Sequence, residues 1–457
     1  MKAVSDPLAQ VQVQPRALTP EQREWLSDAR SRVEPDQLAS LLIDMVDIPS
    51  PTGLEASLAR FVVEYLESTG ITATYQEIDE NQANAIGRIG GSGTGVDLLL
   101  YGHLDTHLSG LDQEDRPAAN GPIPAMSRPK ADRRGNTVYG LGAGNPKAFT
   151  ACMITAAKAV REAQIPLRGN LVLGLAAGGM PAGAGPWAHR KNVGYGAGCS
   201  HMVQQGVRGD FAIIGKPGYA VAWEEVGLCC FRVRLAGIFG YAGTKHILEY
   251  RNPIVDGAHV ILELEEWFER YALENTSGLV APQAAVGAVD AGWRYKPTFV
   301  PAWCDLFLDV RVSPRTDPME VQRQLESALQ AITGRHPEIE AAVEMVVSIP
   351  GTRTDPKNWI IQSCMRAFEE VAGRSHQPIL NTSGATDAAI LRLWNIPTAR
   401  FGMPSTVRDN LTATMAMDVD SADIANMATF VDCLLYAVVD TCTRSREDIS
   451  GIADAQN

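Results

Sequence analysis

Short, fully apolar runs alternate with longer stretches of helical period along the first half of the chain. Leu98-Leu-Leu-Tyr101, Leu171–Ala176 and Phe211–Ile214 read as buried strands, each running into a glycine-bearing turn. Between them the helical period returns: from Pro35 to Val46, where Pro49-Ser-Pro51 stops it, at about 54–70, and from near Pro146, where a missing N–H costs least. Ile71–Glu77 alternates as a further strand. Buried strands alternating with helices predict an α/β fold, a mostly parallel sheet with helices on both faces.

The pattern changes after Glu225. Cys230–Leu235 and Asp305–Val312 alternate with period two, helices are expected at about 253–272 and 318–333, and a last strand runs through 345. This is a self-contained α+β unit inserted into the first domain. The first fold resumes with a helix at 357–371, a short strand at Thr398–Phe401 and a closing helix from Ser421. The expected division is an N-terminal arm at 1–34, the first domain at 35–224 and 348–457, and the insert at 225–347.

Composition narrows the function. Hydrophobic residues make up 45% of 457, enough for two packed domains, and the net charge of −13 excludes a phosphate-backbone surface because no basic cluster beyond Arg133-Arg134 offsets it. No nucleic-acid partner is expected. The eight cysteines show no C-x-x-C spacing and sit mostly in apolar contexts, which predicts free thiols in a reducing compartment, the cytoplasm. Met1–Thr19 lacks a charged region followed by an apolar run, and no apolar stretch approaches the roughly 20 residues that span a bilayer, so no membrane partner is expected.

Chemistry gathers at the end of the Leu98 strand, in Gly102-His103-Leu-Asp105-Thr-His107. In open α/β sheets ligands bind at the carboxyl ends of strands. An imidazole and a carboxylate two residues apart point the same way, so Asp105 can hold one ring nitrogen of His103 while the other reaches inward. On spacing alone a structural His–Asp pair is an equal reading. Gly140–Gly144 before the helix near Pro146 is a tight connection whose amides can also meet an anion.

The order of these pieces resembles the dizinc peptidases and deacylases that include acetylornithine deacetylase, succinyl-diaminopimelate desuccinylase and related carboxypeptidases. The segments that carry the resemblance are Gly102-His103-Leu-Asp105, Gly142-Ala-Gly-Asn145-Pro-Lys147, the strand and turn at 171–183, Gly215-Lys216-Pro217-Gly218, Gly240-Tyr241 with Asn252-Pro-Ile, Asp309-Val-Arg311, and Ser383-Gly384-Ala-Thr386-Asp387. It implies a zinc-peptidase-like catalytic domain carrying a lid and dimerisation domain, hence a homodimer. Carried over residue by residue, the metal site is mostly absent. His103 and Asp105 match, but the bridging aspartate is Asn145, the Glu-Glu pair falls on Gly178-Gly179, the next acidic ligand is Lys216, the last histidine falls near Leu411, and the lid histidine is Tyr241.

These losses are electrostatically coherent. A cluster of carboxylates needs its metal ions for neutrality, whereas Asp105 facing Lys216 is neutral by itself. The expectation is no metal and no other cofactor. The candidate catalytic residues are His103, Asp105, Lys216, Glu225 and Tyr241, with Glu224 and Glu225 expected to face opposite ways along a strand. Asn145, Lys147, Asn252, Arg311, Ser383, Gly384 and Thr386 are the substrate-binding candidates. The function expected is a metal-independent, peptidase- or deacylase-like amidohydrolase acting on a small amide- or imide-like C–N substrate. A non-catalytic ligand-binding protein is one alternative; an amidohydrolase that rebuilds a metal site from His107, His189 or His201 is the other.

Overall fold

The computed structural model describes residues 11–115, 123–183, 190, 191, 193–405 and 419–450. The described residues form two compact units: one from Val11–Trp223, Thr354–Pro378 and the described residues from Ile390 onward, the other from Glu224–Arg353 with Ile379–Ala389.

The larger unit is built on a seven-stranded sheet in the order Thr72–Glu77, Ala83–Ile89, Leu171–Ala176, Leu98–His103, Phe211–Gly215, Thr398–Phe401, Val221–Ala222. The four strands from Leu171–Ala176 to Thr398–Phe401 are parallel, and antiparallel pairs close both sides. Their residues are nearly all buried, as continuous apolar runs require when helices cover both faces. The helix Ala148–Glu162 has almost no exposed residue in its first three turns, because its Ala, Thr and Cys side chains let neighbours approach closely. Phe430, on the helix Ile424–Cys442, meets Phe149 and Phe401 edge to face at 5.4 and 5.7 Å.

Two expectations are corrected here. The stretch read as an arm contains the helix Pro20–Ser31, fixed by a capping box in which Thr19 accepts from the Gln22 amide and the Gln22 side chain accepts from the Thr19 amide. An apolar stretch near membrane-spanning length also exists: Ile424–Cys442 has 19 residues, mean hydropathy 1.3 over its most apolar window, and 72% of that window is buried inside the protein.

The smaller unit is a four-stranded antiparallel sheet in the order Ala284–Ala291, Trp303–Val312, Gly227–Ala236, Ala341–Ile349. Cys229, Phe231, Val233 and Leu235 alternate into a core completed by Val260, Leu264 and Trp267 of the helix Pro253–Asn275 and by Val321, Leu325 and Leu329 of the helix Pro318–Arg335. Truncating a side chain such as Phe231 to alanine costs about 3–5 kcal/mol. The segment Ile379–Ala389 joins this unit, although the sequence reading left it with the first domain. Its backbone and side chains are tied there: Ala281 N–H donates to Thr382 O, Gln283 N–H to Ser383 Oγ, and Thr386 Oγ1 to Glu225 Oε2.

Candidate active site

Three neighbouring parallel strands end together. His103 closes one, Ala176 pairs with it in register on the next, and Lys216 follows directly on the strand that ends at Gly215. A Cβ at Gly215 would stand 2.9 Å from the Phe149 ring, so glycine lets the helix Ala148–Glu162 lie against the strand just before Lys216. The strand ends therefore deliver an imidazole, an amine and the turn Ala177–Met180 to one place, where open α/β sheets bind their ligands.

The three ionisable groups form a line. Asp105 Oδ1 lies 3.0 Å from His103 Nδ1, and Lys216 Nζ lies 2.6 Å from His103 Nε2. His103 is 2% exposed, Asp105 0% and Lys216 8%. The protonation that satisfies all three places a proton on Nδ1, donated to Asp105, and leaves Nε2 to accept from the amine. Lys216 was expected to face Asp105; its amine instead meets the ring, which joins the two charges.

Asp105 is closely held. Gly179 N–H donates to Oδ1 at 2.7 Å, while Met180 N–H and Thr52 Oγ1 donate to Oδ2 at 2.9 and 2.8 Å. Burial alone would raise its pKa, but the hydrogen bond from His103 and these donors outweigh burial and hold the carboxyl below its ordinary range. His103 moves down as well, first through burial and then through the charge of Lys216, which favours the neutral ring.

A residue without any sequence signal stands beneath this line. Glu55 is fully buried and accepts on Oε1 from Gly53 N–H at 3.0 Å and Gly178 N–H at 2.9 Å. Burial, followed by the charge of Asp105, pushes its pKa up to about 8.

Asn145 and Lys147 lie at the connection into the helix Ala148–Glu162. Asn145 Oδ1 is buried and has no hydrogen-bond partner among the described residues. Lys147 is buried, with Nζ donating to Ile48 O at 2.9 Å; burial pushes its pKa down to about 7 against the opposing pull of Asp47 and Asp420. Its amine is thus turned into the protein, away from the substrate role expected of it. His107 Nε2 lies 3.8 Å from the buried Asp420, and its Nδ1 has no partner among the described residues. His201 sits on the helix Ala197–Gln204, while His189 and Leu411 lie outside the described residues.

The remaining candidates belong to the smaller unit. Both Glu224 and Glu225 are buried, against the expected alternation, because each has its own partner within this unit. Glu224 accepts from Leu279 N–H at 2.5 Å and from Arg315 at 2.8 Å, and Glu225 accepts from Thr386 at 2.6 Å. Asn252 caps the helix Pro253–Asn275 through Ile254 N–H, and Arg311 pairs with Asp309 at 2.7 Å. Ser383 accepts from Gln283 N–H, Gly384 is exposed backbone, and Tyr241 is half exposed with its ring 6.0 Å from that of Phe299.

The family resemblance implies a pair of zinc ions, and these donors do not fit one. The outer nitrogen of His103 is taken by Lys216. Gly178 and Gly179 have no side chain to ligate a metal; their N–H groups are given to Glu55 and Asp105, and Gly178 O accepts from Gly196 N–H. Asn145 supplies a neutral amide, and among the described residues no three His, Cys, Asp or Glu side chains converge as metal ligands.

The model of peptidase family M20/M25/M40 matches residues 99–437, well over half of the chain. The chain belongs to this family. Succinyl-diaminopimelate desuccinylase of Legionella pneumophila is 21% identical over 385 residues, covering 80% of this chain and 90% of that protein. Among solved structures, human carnosine dipeptidase 1 superposes with a TM-score of 0.68 at 14% identity, covering 94% of this chain and 100% of that one. The M20 family metallo-carboxypeptidase Sso-CP2 from Sulfolobus solfataricus gives 0.64 at 15%, covering 88% and 99%. The expected family and fold class both stand.

Proposed function

We propose that this M20-family chain is an amidohydrolase that works without a metal ion on a small amide- or imide-like C–N substrate. The observation that carries the reading is the Lys216 amine 2.6 Å from His103 Nε2, at a position where the family resemblance implies a metal ligand. An ammonium there binds and polarises a carbonyl oxygen. Passing one proton to Nε2 leaves a neutral amine and an imidazolium steadied by Asp105. The amine then takes a proton from water as the water oxygen bonds to the carbonyl carbon. The imidazolium returns its proton to the leaving nitrogen as the C–N bond breaks, so the products are a carboxylic acid and an amine. This sequence uses no residue of the smaller unit.

The test combines metal analysis of protein purified without chelator with a screen of N-acyl amino acids and cyclic amides, products identified. Turnover by metal-free protein that disappears in Lys216→Met supports the reading. Stoichiometric zinc, or full kcat with an unchanged pH profile in Lys216→Met, overturns it.

We further propose a homodimer formed through the smaller unit. The strand Gly227–Ala236 lies inside its sheet; the edges are Ala284–Ala291 and Ala341–Ile349, and Ile254, Val255, Leu262 and Leu273 of the helix Pro253–Asn275 are exposed. Unpaired strand edges and exposed apolar side chains call for a partner surface. A monomer by light scattering at micromolar concentration would rule this out. Among the described residues no cysteine is in a disulfide, which supports a cytoplasmic location, open to test by cell fractionation.

A further inference from the structure

We infer that Glu55 is a positioning residue for the Asp105–His103 pair, sharing with Asp105 both backbone segments that hold that carboxylate. The inference rests on the site proposed above and adds a group that touches no substrate. Two short segments each divide neighbouring donors between the two carboxyls. In the first, Thr52 Oγ1 donates to Asp105 Oδ2 at 2.8 Å and Gly53 N–H to Glu55 Oε1 at 3.0 Å. In the second, Gly178 N–H donates to Glu55 Oε1 at 2.9 Å, followed by Gly179 and Met180 N–H to Asp105 at 2.7 and 2.9 Å.

Asp105 can be placed only if the turn 178–180 is placed, and Glu55 holds the first amide of that turn. Gly178 has φ +64°, and a Cβ there would lie 2.6 Å from Val193 O, so a side chain cannot take over that position. Glu55 Oε2 and Gln82 Oε1 are both buried with no hydrogen-bond partner among the described residues, while Gln82 Nε2 reaches Glu55 Oε1 at 3.4 Å. A carboxyl with an orphaned buried oxygen is less costly neutral than ionised. At neutral pH Glu55 thus braces the turn without adding a second negative charge beside Asp105, the acidic group whose charge reaches it.

The test follows the His103 ring by nitrogen-15 NMR of histidine-labelled protein and the turn by hydrogen-exchange mass spectrometry, neither of which needs turnover. In wild type the His103 ring signals should shift with a midpoint near pH 8, as Glu55 ionises, and this step should vanish in Glu55→Gln. Glu55→Ala should lose protection at 178–180 by about tenfold and blur the Nδ1–H signal, with both restored in Glu55→Gln. If the ring shows no step near pH 8 in wild type, or keeps it in Glu55→Gln, the inference fails even where Glu55→Ala does not fold. Because these signals are independent of catalysis, that failure is distinct from retained turnover in Lys216→Met.

Discussion

Replacing Lys147 by methionine should change how stability depends on pH. The folded protein holds the Lys147 amine at about 7, through burial first, while an unfolded chain returns it to its ordinary 10.5. Between those values the unfolded state binds a proton that the folded state does not, so wild-type stability rises with pH across this window. Each pH unit is worth about 1.4 kcal/mol, which gives a rise of about 3 kcal/mol from pH 7 to pH 9 and on the order of 5 kcal/mol across the whole window. Lys147→Met keeps the unbranched apolar stem and removes the amine, and with it the titration and the hydrogen bond to Ile48 O. Urea unfolding of both proteins at half-unit steps from pH 6 to pH 9.5 measures the difference. Stability should climb more steeply in wild type above pH 7, with the two curves parallel below it. Parallel curves throughout would show that the amine stays charged when folded, and the burial argument would be refuted.

Lys216→Glu sets a second carboxylate beside His103 and Asp105. Turnover should disappear, thermal stability should fall by several degrees, and calorimetry should detect weak divalent-cation binding that wild type lacks. Gly178→Ala forces an L side chain into a left-handed backbone against Val193 O and should cost about 1–3 kcal/mol in chemical denaturation. Arg315→Met leaves the buried Glu224 carboxylate without its cation and should cost on the order of 3 kcal/mol, read as a lowered thermal midpoint.

The sequence was most legible where one physical rule decided the outcome. Leu98–Tyr101 and Leu171–Ala176 are continuous apolar runs, and burial on both faces explains them completely. His103 and Asp105 were readable as a pair because residues two apart share a side. The partner of Lys216 was not readable, since it depends on how the strand Phe211–Gly215 aligns with its neighbour, where Tyr101 pairs with Ile214. Glu55 gave no signal because its role comes from a turn more than a hundred residues away in the chain. The strand Ala284–Ala291 was missed because alanine and glycine on a sheet edge carry little hydrophobic pattern. The helix Pro20–Ser31 was findable: Thr19 followed three residues later by Gln22 is the capping signature.

The burial of Ile424–Cys442 bears on synthesis as well as on the finished fold. This helix packs on Pro20–Ser31, Pro35–Asp47, Ala148–Glu162 and Trp359–Ala372, so elements from both ends of the chain lean on a segment that leaves the ribosome late. Until it emerges, the flank of Ala148–Glu162 that it covers stays bare, and the parallel strands beside it are exposed to aggregation. The four-stranded sheet of the smaller unit and its two helices are encoded without that gap and can condense while translation continues. A nascent chain stalled before residue 424 should therefore carry a folded insert within an unfinished host, with chaperones holding the host until Ile424–Cys442 arrives.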